Sequence, residues 1–323
     1  MSTLLLTHQD VVRHLDALLL MGELKEALKA DSHGRPVAAQ RARSVLHSHG
    51  TAVAIFPGNI AGIPAYTVKV HSKFPAQTPA IRGVIHLFDL NTGELLAIMD
   101  SRQVTSVRTG VLGAIAADAL ARPDAKRVAL IGAGTQASLQ VKSLRLVRSL
   151  EHVRIYDVVQ ERSAALAAKL HSSLALPVRM AQTLEEAVAD ADIVICSTWS
   201  REPLLFPNMV PKGCHITSLG ADEPGKQELS RELILQGSFI CDDRALALSS
   251  GAIGTAGLTE AAIKAELGEV LAGTKQGRSS PSDITLFAPV GPPIADLAAA
   301  WLAYQAALED DQVQRIDFSG AAL

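Results

Sequence analysis

Three charged side chains and one glycine loop stand out in a chain that is otherwise rich in small apolar residues. The loop is VALIGAGTQAS, residues 128–138. Gly132 permits a tight strand-to-helix turn, and Gly134 lets the backbone approach a pyrophosphate with no Cβ in the way. Ala137 stands where a third glycine is usual and lets helix and strand pack closely. The free N–H groups and positive dipole end of the following helix suit a phosphate. The next apolar segment ends in an acid, VRIYD, so Asp157 can accept the ribose hydroxyls of a dinucleotide and repel a 2′-phosphate. That favours NAD(H). Arg162 nearby leaves NADP(H) open, and Asp157 as a cap of the following helix is the competing reading.

The charged residues are Lys69 in AYTVKVHSKFP, Arg108 in DSRQVTSVRTGVLGAIAADALA and Asp222 in SLGADEPGKQEL. A strand lysine facing solvent is the ordinary explanation for Lys69. Thr105 can cap a small-residue helix whose first turn holds Arg108 and Thr109. A cation there opposes the helix dipole, so an anionic ligand nearby would compensate. Asp222 follows the apolar segment HITSL in a glycine-rich turn, and ligands of open α/β sheets bind beyond the carboxyl ends of strands. Without a ligand, Asp222 reads as a turn or cap residue before a helix over 229–235. His71 and His86 lie in strand-like segments near Lys69 and receive no role.

These positions need elements to hold them. From about residue 126, short apolar segments (128–131, 153–156, 176–180, 192–198, 215–219 and 238–242) alternate with helical ones (135–148, 160–171 and TLEEAVADA, where Thr183 and Glu186 form a capping-box pattern). Such alternation predicts βαβ units and a doubly wound parallel sheet. Residues 1–115 read as α+β, with strands separated by Gly, Pro and Asn turns and a hairpin at DLNTGE. PPIADLAAAWLAYQAALEDD is a strong helix that can return to the first domain. The expected domains are 1–118 with 300–323, and 119–299. The chain has 323 residues, a net charge of −3, 48% hydrophobic and 4% aromatic residues, which suits helices on a parallel sheet. It has no basic run for nucleic acid and no long apolar run for a signal peptide or membrane span. Cys196, Cys214 and Cys241 have no CxxC spacing and read as reduced, buried thiols of a cytoplasmic protein. No His, Asp or Glu pair has metal-ligand spacing, so no metal is expected.

In order and spacing, Lys69 in its VKV strand, LFDLNTGELLAIMDS, VTSVRTG, LIGAGTQA, CSTWSREPLL and HITSLGADEPGKQEL resemble the ornithine cyclodeaminase/μ-crystallin family over nearly the whole chain. The resemblance implies an α/β fold: a Rossmann doubly wound parallel sheet plus a discontinuous α+β substrate and dimerisation domain, in a homodimer. By that likeness Lys69 and Arg108 grip a substrate carboxylate, Asp222 is the catalytic acid/base, and an arginine of AAQRARSVL is a further carboxylate ligand. Arg43 fits the family pattern better, with Arg41 two residues away as the alternative. Thr109, Gly132, Gly134, Gln136, Ala137, Asp157 and Ser197 would bind the dinucleotide.

Cyclodeaminases of the family carry a glutamate before the proline that corresponds to Pro57, where it holds a distal amine. Here the nearest counterparts, Ala52, Ala54 and Phe56, are apolar, and a buried unpaired ammonium is costly. The expected activity is therefore that of a reductase or dehydrogenase of small imino or amino acids with uncharged side chains. Cyclic ketimines fit best: Δ1-pyrroline-2-carboxylate or Δ1-piperideine-2-carboxylate, giving proline or pipecolate. Ornithine cyclodeaminase, alanine dehydrogenase and a non-catalytic ligand-binding protein are the alternatives.

Overall fold

The computed structural model describes residues 2–32, 34, 38–47, 50–318 and 320. The chain divides into two compact units, Met1–Arg108 with Pro292–Leu323, and Thr109–Gly291. In chain order, the first unit begins with β1 (Thr3–Leu6), α1 (His8–His14), α2 (Ala17–Asp31), β2 (Gln40–Val45), β3 (Thr51–Gly58), β4 (Ala65–Lys73), β5 (Ile81–Asp89) and β6 (Leu95–Asp100), followed by helix α3 (Ser101–Leu120). The second unit continues with β7 (Arg127–Ile131), α4 (Thr135–Leu144), β8 (His152–Tyr156), α5 (Gln160–Leu174), β9 (Val178–Met180), α6 (Leu184–Val188), β10 (Ile193–Cys196) and β11 (His215–Ser218). It closes with α7 (Arg231–Gln236), β12 (Ser238–Cys241), α8 (Arg244–Ser249), α9 (Ala252–Thr255), β13 (Ala265–Glu266), α10 (Leu267–Leu271) and β14 (Thr285–Phe287). Helix α11 (Pro293–Ala307) and β15 (Gln314–Ile316) then return to the first unit.

The first unit is built on a seven-stranded sheet in the order β15-β1-β6-β5-β4-β3-β2, antiparallel except where β1 joins β6. The β5–β6 hairpin turns at DLNTGE: Asp89 Oδ1 accepts from the N–H groups of Asn91 and Thr92, and Gly93 adopts φ +74°. Helix α11 lies on strands β3, β4 and β5. On β4 the buried positions alternate, as one covered sheet face requires: Ala65, Thr67, Lys69, His71 and Lys73. Most of that inward row is polar or charged, which a purely structural core strand would not tolerate.

The second unit carries an eight-stranded, all-parallel sheet, β13-β12-β14-β11-β10-β7-β8-β9. Both faces are covered. Ala129, Ile131, Val194, Ile216 and Leu286 face one core, while Val128, Leu130, Val153, Ile155 and Ile193 face the other. Near-continuous apolar strands are what a doubly covered parallel sheet demands. Strand β14 has no counterpart in the sequence reading, although it sits in the middle of the sheet. Three residues are too few to show any periodicity. Helix α4 ends at Leu144 rather than 148. At α6, Thr183 Oγ1 accepts from the Glu186 N–H at 3.1 Å, and Glu186 Oε2 accepts from the Gln182 N–H, one residue earlier than a strict capping box.

Candidate active site

The first unit gathers a buried charge cluster under α11. Lys69 projects from the covered face of β4 and is 1% exposed. Its Nζ lies 2.6 Å from Asp296 Oδ2, and Arg108 Nε donates to Asp296 Oδ1 at 3.1 Å. Thr105, one turn before Arg108 on α3, accepts from Lys69 Nζ at 3.5 Å. Burial drives the Lys69 pKa down to about 7; the Asp296 carboxylate opposes that fall, and Arg108 and Arg41 add to it. Burial alone would raise the Asp296 pKa, but Lys69 and Arg108 outweigh it and hold the carboxyl below its ordinary value.

Asp296 had no place in the sequence reading, yet it left a signal. It is the one charged residue between Pro292 and Leu308, in the first turn of a helix that is apolar all round. A charge on such a helix must be buried and paired. The anion expected near Arg108 is therefore supplied by the protein itself. Helix α3 also starts earlier than expected: Asp100 caps it by accepting the Gln103 N–H at 2.7 Å, which puts Thr105 and Arg108 in the second turn and beyond. Arg108 thus avoids the positive dipole end. It engages Asp296 through Nε alone, which leaves the planar Nη fork for bidentate recognition of a carboxylate.

Register decides which neighbours share this face. Arg41 pairs with Ile55, and Ile55 with Lys69. Directly paired residues point to the same side, so Arg41, half-buried, stands in the Lys69 row. Arg43 stands one row further on, opposite Val53, and is exposed. The same register moves the expected apolar wall. Ala52 and Ala54 point to the opposite face from Lys69, and Val53 and Ile55 flank it instead. The wall is still apolar, but it is made of different residues. Val53 and Ile55 are both buried.

The second unit holds the glycine loop. Gly132 has φ +95°, and a Cβ built on it would meet the Ser197 carbonyl oxygen at 2.8 Å. A Cβ on Gly134 would meet nothing within 4 Å, and Gly134 gives α4 no side-chain cap. Ala137 is buried against the core, and Gln140 Nε2 donates to the Thr109 carbonyl at 2.8 Å. Asp157, at the end of β8, accepts from the Ala133 N–H at 2.8 Å and from the Val159 N–H at 2.9 Å, and its oxygens retain further acceptor capacity. Gln136 Oε1 and Ser197 Oγ are buried with no hydrogen-bond partner among the described residues. An open, uncapped helix start beside orphaned polar atoms fits a dinucleotide.

Asp222 lies in the loop after β11, with its side chain 28% exposed and Lys226 Nζ 3.0 Å from Oδ1. Lys226 also stands 4.0 Å above the Trp199 ring. A second residue of that segment organises the strand ends. Glu228, fully buried, accepts from the Thr198 N–H and Oγ1, the Ser218 Oγ and the Gly220 N–H at 2.6–2.8 Å. It ties the loop after β10 to the loop after β11. Among the described residues no three His, Cys, Asp or Glu side chains cluster as metal ligands, and no helix is long and apolar enough to cross a membrane.

A doubly wound sheet with this loop, joined to an α+β unit with buried cations, defines a dinucleotide-dependent oxidoreductase class. The chain belongs to the ornithine cyclodeaminase/mu-crystallin family, whose model matches residues 1–311. It is 33% identical over 307 residues to the ketimine reductase mu-crystallin of Mus musculus, covering 93% of this chain and 96% of that protein. An archaeal alanine dehydrogenase dimer with bound NAD superposes with a TM-score of 0.91 at 31% identity, covering 98% of this chain and all of that one. The Δ1-pyrroline-2-carboxylate reductase of Thermococcus litoralis, solved with NADH and L-proline, gives 0.89 at 30% identity, covering 95% and 98%.

Proposed function

We propose that the chain is an NAD(H)-dependent reductase of small imino acids, with cyclic ketimines such as Δ1-pyrroline-2-carboxylate as its substrate class, acting as a homodimer. The observation that carries this reading is the buried cation cluster of Lys69 and Arg108, held by Asp296 and backed by Arg41. Such a cluster is built for a carboxylate. In this reading Arg41, in register with Lys69, is the further carboxylate ligand rather than the exposed Arg43. Thr109, Gly132, Gly134, Gln136, Ala137, Asp157 and Ser197 serve the dinucleotide.

NADH held by these residues would supply the hydride for the imine carbon, itself being oxidised to NAD⁺. The cations fix the carboxylate and so orient the adjacent C=N bond. Asp222 passes a proton to the imine nitrogen, which becomes the amine, and is recharged by solvent through its exposed edge. Lys226 keeps the Asp222 carboxyl in one orientation. Cyclodeaminase action on a diamino acid is disfavoured because Val53 and Ile55 offer a distal ammonium no partner. Asp296, the acid that the structure places on this face, is already bound to both cations.

The test is absorbance at 340 nm with purified protein, NADH or NADPH, and each cyclic imine, alongside L-ornithine with catalytic NAD assayed for ammonia. Oxidation of NADH on an imine, without ammonia from ornithine, is the expected result. Ammonia and proline from ornithine with no net change at 340 nm overturns the reading.

A further inference from the structure

His71 lies two residues beyond Lys69 on the same inward face of β4 and is 7% exposed. Neither ring nitrogen has a hydrogen-bond partner among the described residues. Its row explains why. The residues directly beside it are Val53 on β3 and Gly83 on β5, and neither side chain can donate or accept. Gly83 is required there, because a Cβ would meet the His71 Cα at 2.5 Å. One row further, Thr51 is paired with the buried Lys73, and its Oγ1 is also buried without a partner. Buried polar groups in native proteins are almost always hydrogen-bonded, so a run of orphaned ones marks the place of a ligand.

The surroundings say what kind of ligand. Burial holds the imidazole neutral, with its pKa down at about 3. Lys69, Lys73 and Arg41 push it the same way, while Asp296 opposes them. Arg43 stands in the same row, opposite Val53. An ammonium here would meet like charges, and an apolar group would leave His71 unsatisfied. A carboxylate would accept from the imidazole and be attracted by the neighbouring cations. Inward positions two residues apart on a strand are separated by roughly 7 Å, a step that a few carbons span from a carboxylate held at Lys69.

We propose that His71, with Thr51 one row further on, forms a distal subsite for a second carboxylate, so that the preferred substrate is an imino acid bearing two acidic groups, one held at Lys69 and Arg108 and the other at His71. This rests on the reading of the site as an imino-acid reductase and, within that reading, ranks two-carboxylate imines above one-carboxylate ketimines such as Δ1-pyrroline-2-carboxylate.

The experiment has a binding arm and a turnover arm, both on the full-length protein. Binding of succinate and of propionate is measured by isothermal titration calorimetry, with no cofactor. The expected result is succinate tighter by at least about tenfold in the wild type. In His71→Leu the ratio collapses towards one, and His71→Asn, which keeps a donor, retains part of it. Turnover is followed at 340 nm with NADH and ammonium plus oxaloacetate, 2-oxoglutarate or pyruvate, whose imines form in solution, and with Δ1-pyrroline-2-carboxylate. The ratio of kcat/KM for the two-carboxylate imines over the pyruvate imine is expected to exceed about tenfold and to fall in His71→Leu. Because both readouts are ratios within one variant, partial loss of folded protein does not mimic the effect. Equal binding of succinate and propionate by the wild type, or a preference untouched by His71→Leu, overturns the proposal. NADH oxidation on the one-carboxylate imines alone leaves the reductase reading standing and removes the subsite. Succinate preference with no NADH oxidation on any imine does the reverse.

Discussion

Replacing Asp296 by Asn keeps the shape of the buried cluster and removes its one negative charge. Lys69 and Arg108 are then left facing each other with no counter-charge from α11. Breaking a buried ion pair by removing one partner costs about 3–5 kcal/mol. The two cations respond differently, because Lys69 can shed its proton and Arg108 cannot. In the wild type, folding lowers the Lys69 pKa from 10.5 to about 7, so its protonated form disfavours the fold at every pH below 10.5 and most strongly below 7. Without Asp296 the folded-state pKa falls further, and the penalty keeps growing as the pH drops below 7. Above about 7 both proteins carry a neutral Lys69 and that contribution cancels, leaving Arg108 to donate to the neutral Asn oxygen in place of its counter-charge, a loss of about 1.5–3 kcal/mol. The expected loss in Asp296→Asn is therefore about 3–5 kcal/mol at pH 6, narrowing to about 1.5–3 kcal/mol at pH 9. Trp301, on the same helix, reports unfolding of this unit by fluorescence in urea, in a Trp199→Phe background that silences the other tryptophan. A loss under about 1 kcal/mol at pH 6, well below the cost of breaking a buried pair, or one that does not vary with pH, refutes the assignment of Asp296 as the counter-charge.

Lys69 must be charged to hold a carboxylate, so kcat/KM for imine reduction is expected to be flat below pH 7 and to fall as pH rises through about 7; a profile level from pH 6 to 9 contradicts that role. Gly134→Ala is expected to fold like the wild type, since its Cβ meets nothing within 4 Å, yet to bind NADH at least about tenfold more weakly in a fluorescence titration. Gly132→Ala, with φ +95° and a 2.8 Å clash on Ser197, is expected to lose about 1–3 kcal/mol of stability in thermal or urea unfolding. Asp157→Ser is expected to raise NADPH use relative to NADH by about tenfold in steady-state kinetics, and an unchanged ratio removes Asp157 from cofactor choice. Glu228→Gln turns one acceptor into a donor facing hydroxyls and N–H groups, and should lower stability by about 1–3 kcal/mol, measured by the unfolding of the second unit through Trp199.

Local chemistry made part of this protein legible in its sequence. The glycine loop, the apolar strand before it and the acid at the end of β8 are each fixed by neighbours a few residues away, so their types and spacing announce a parallel sheet and a phosphate-binding turn. The DLNTGE hairpin is equally local, because the Asp89 side chain and the φ of Gly93 make the turn by themselves. What the sequence could not decide depends on pairing across distance. A slip of one residue reverses every side chain of a strand, so only the register of β2, β3 and β4 puts Arg41 rather than Arg43 beside Lys69 and turns Ala52 and Ala54 away from it. Asp100 caps α3 five residues before Thr105, and so moves Arg108 off the helix end. Asp296 meets Lys69 and Arg108 only because the chain returns after 291 to lay α11 on the first sheet. A buried charge is defined by what it faces, and here the three charges that meet come from three distant segments of the chain.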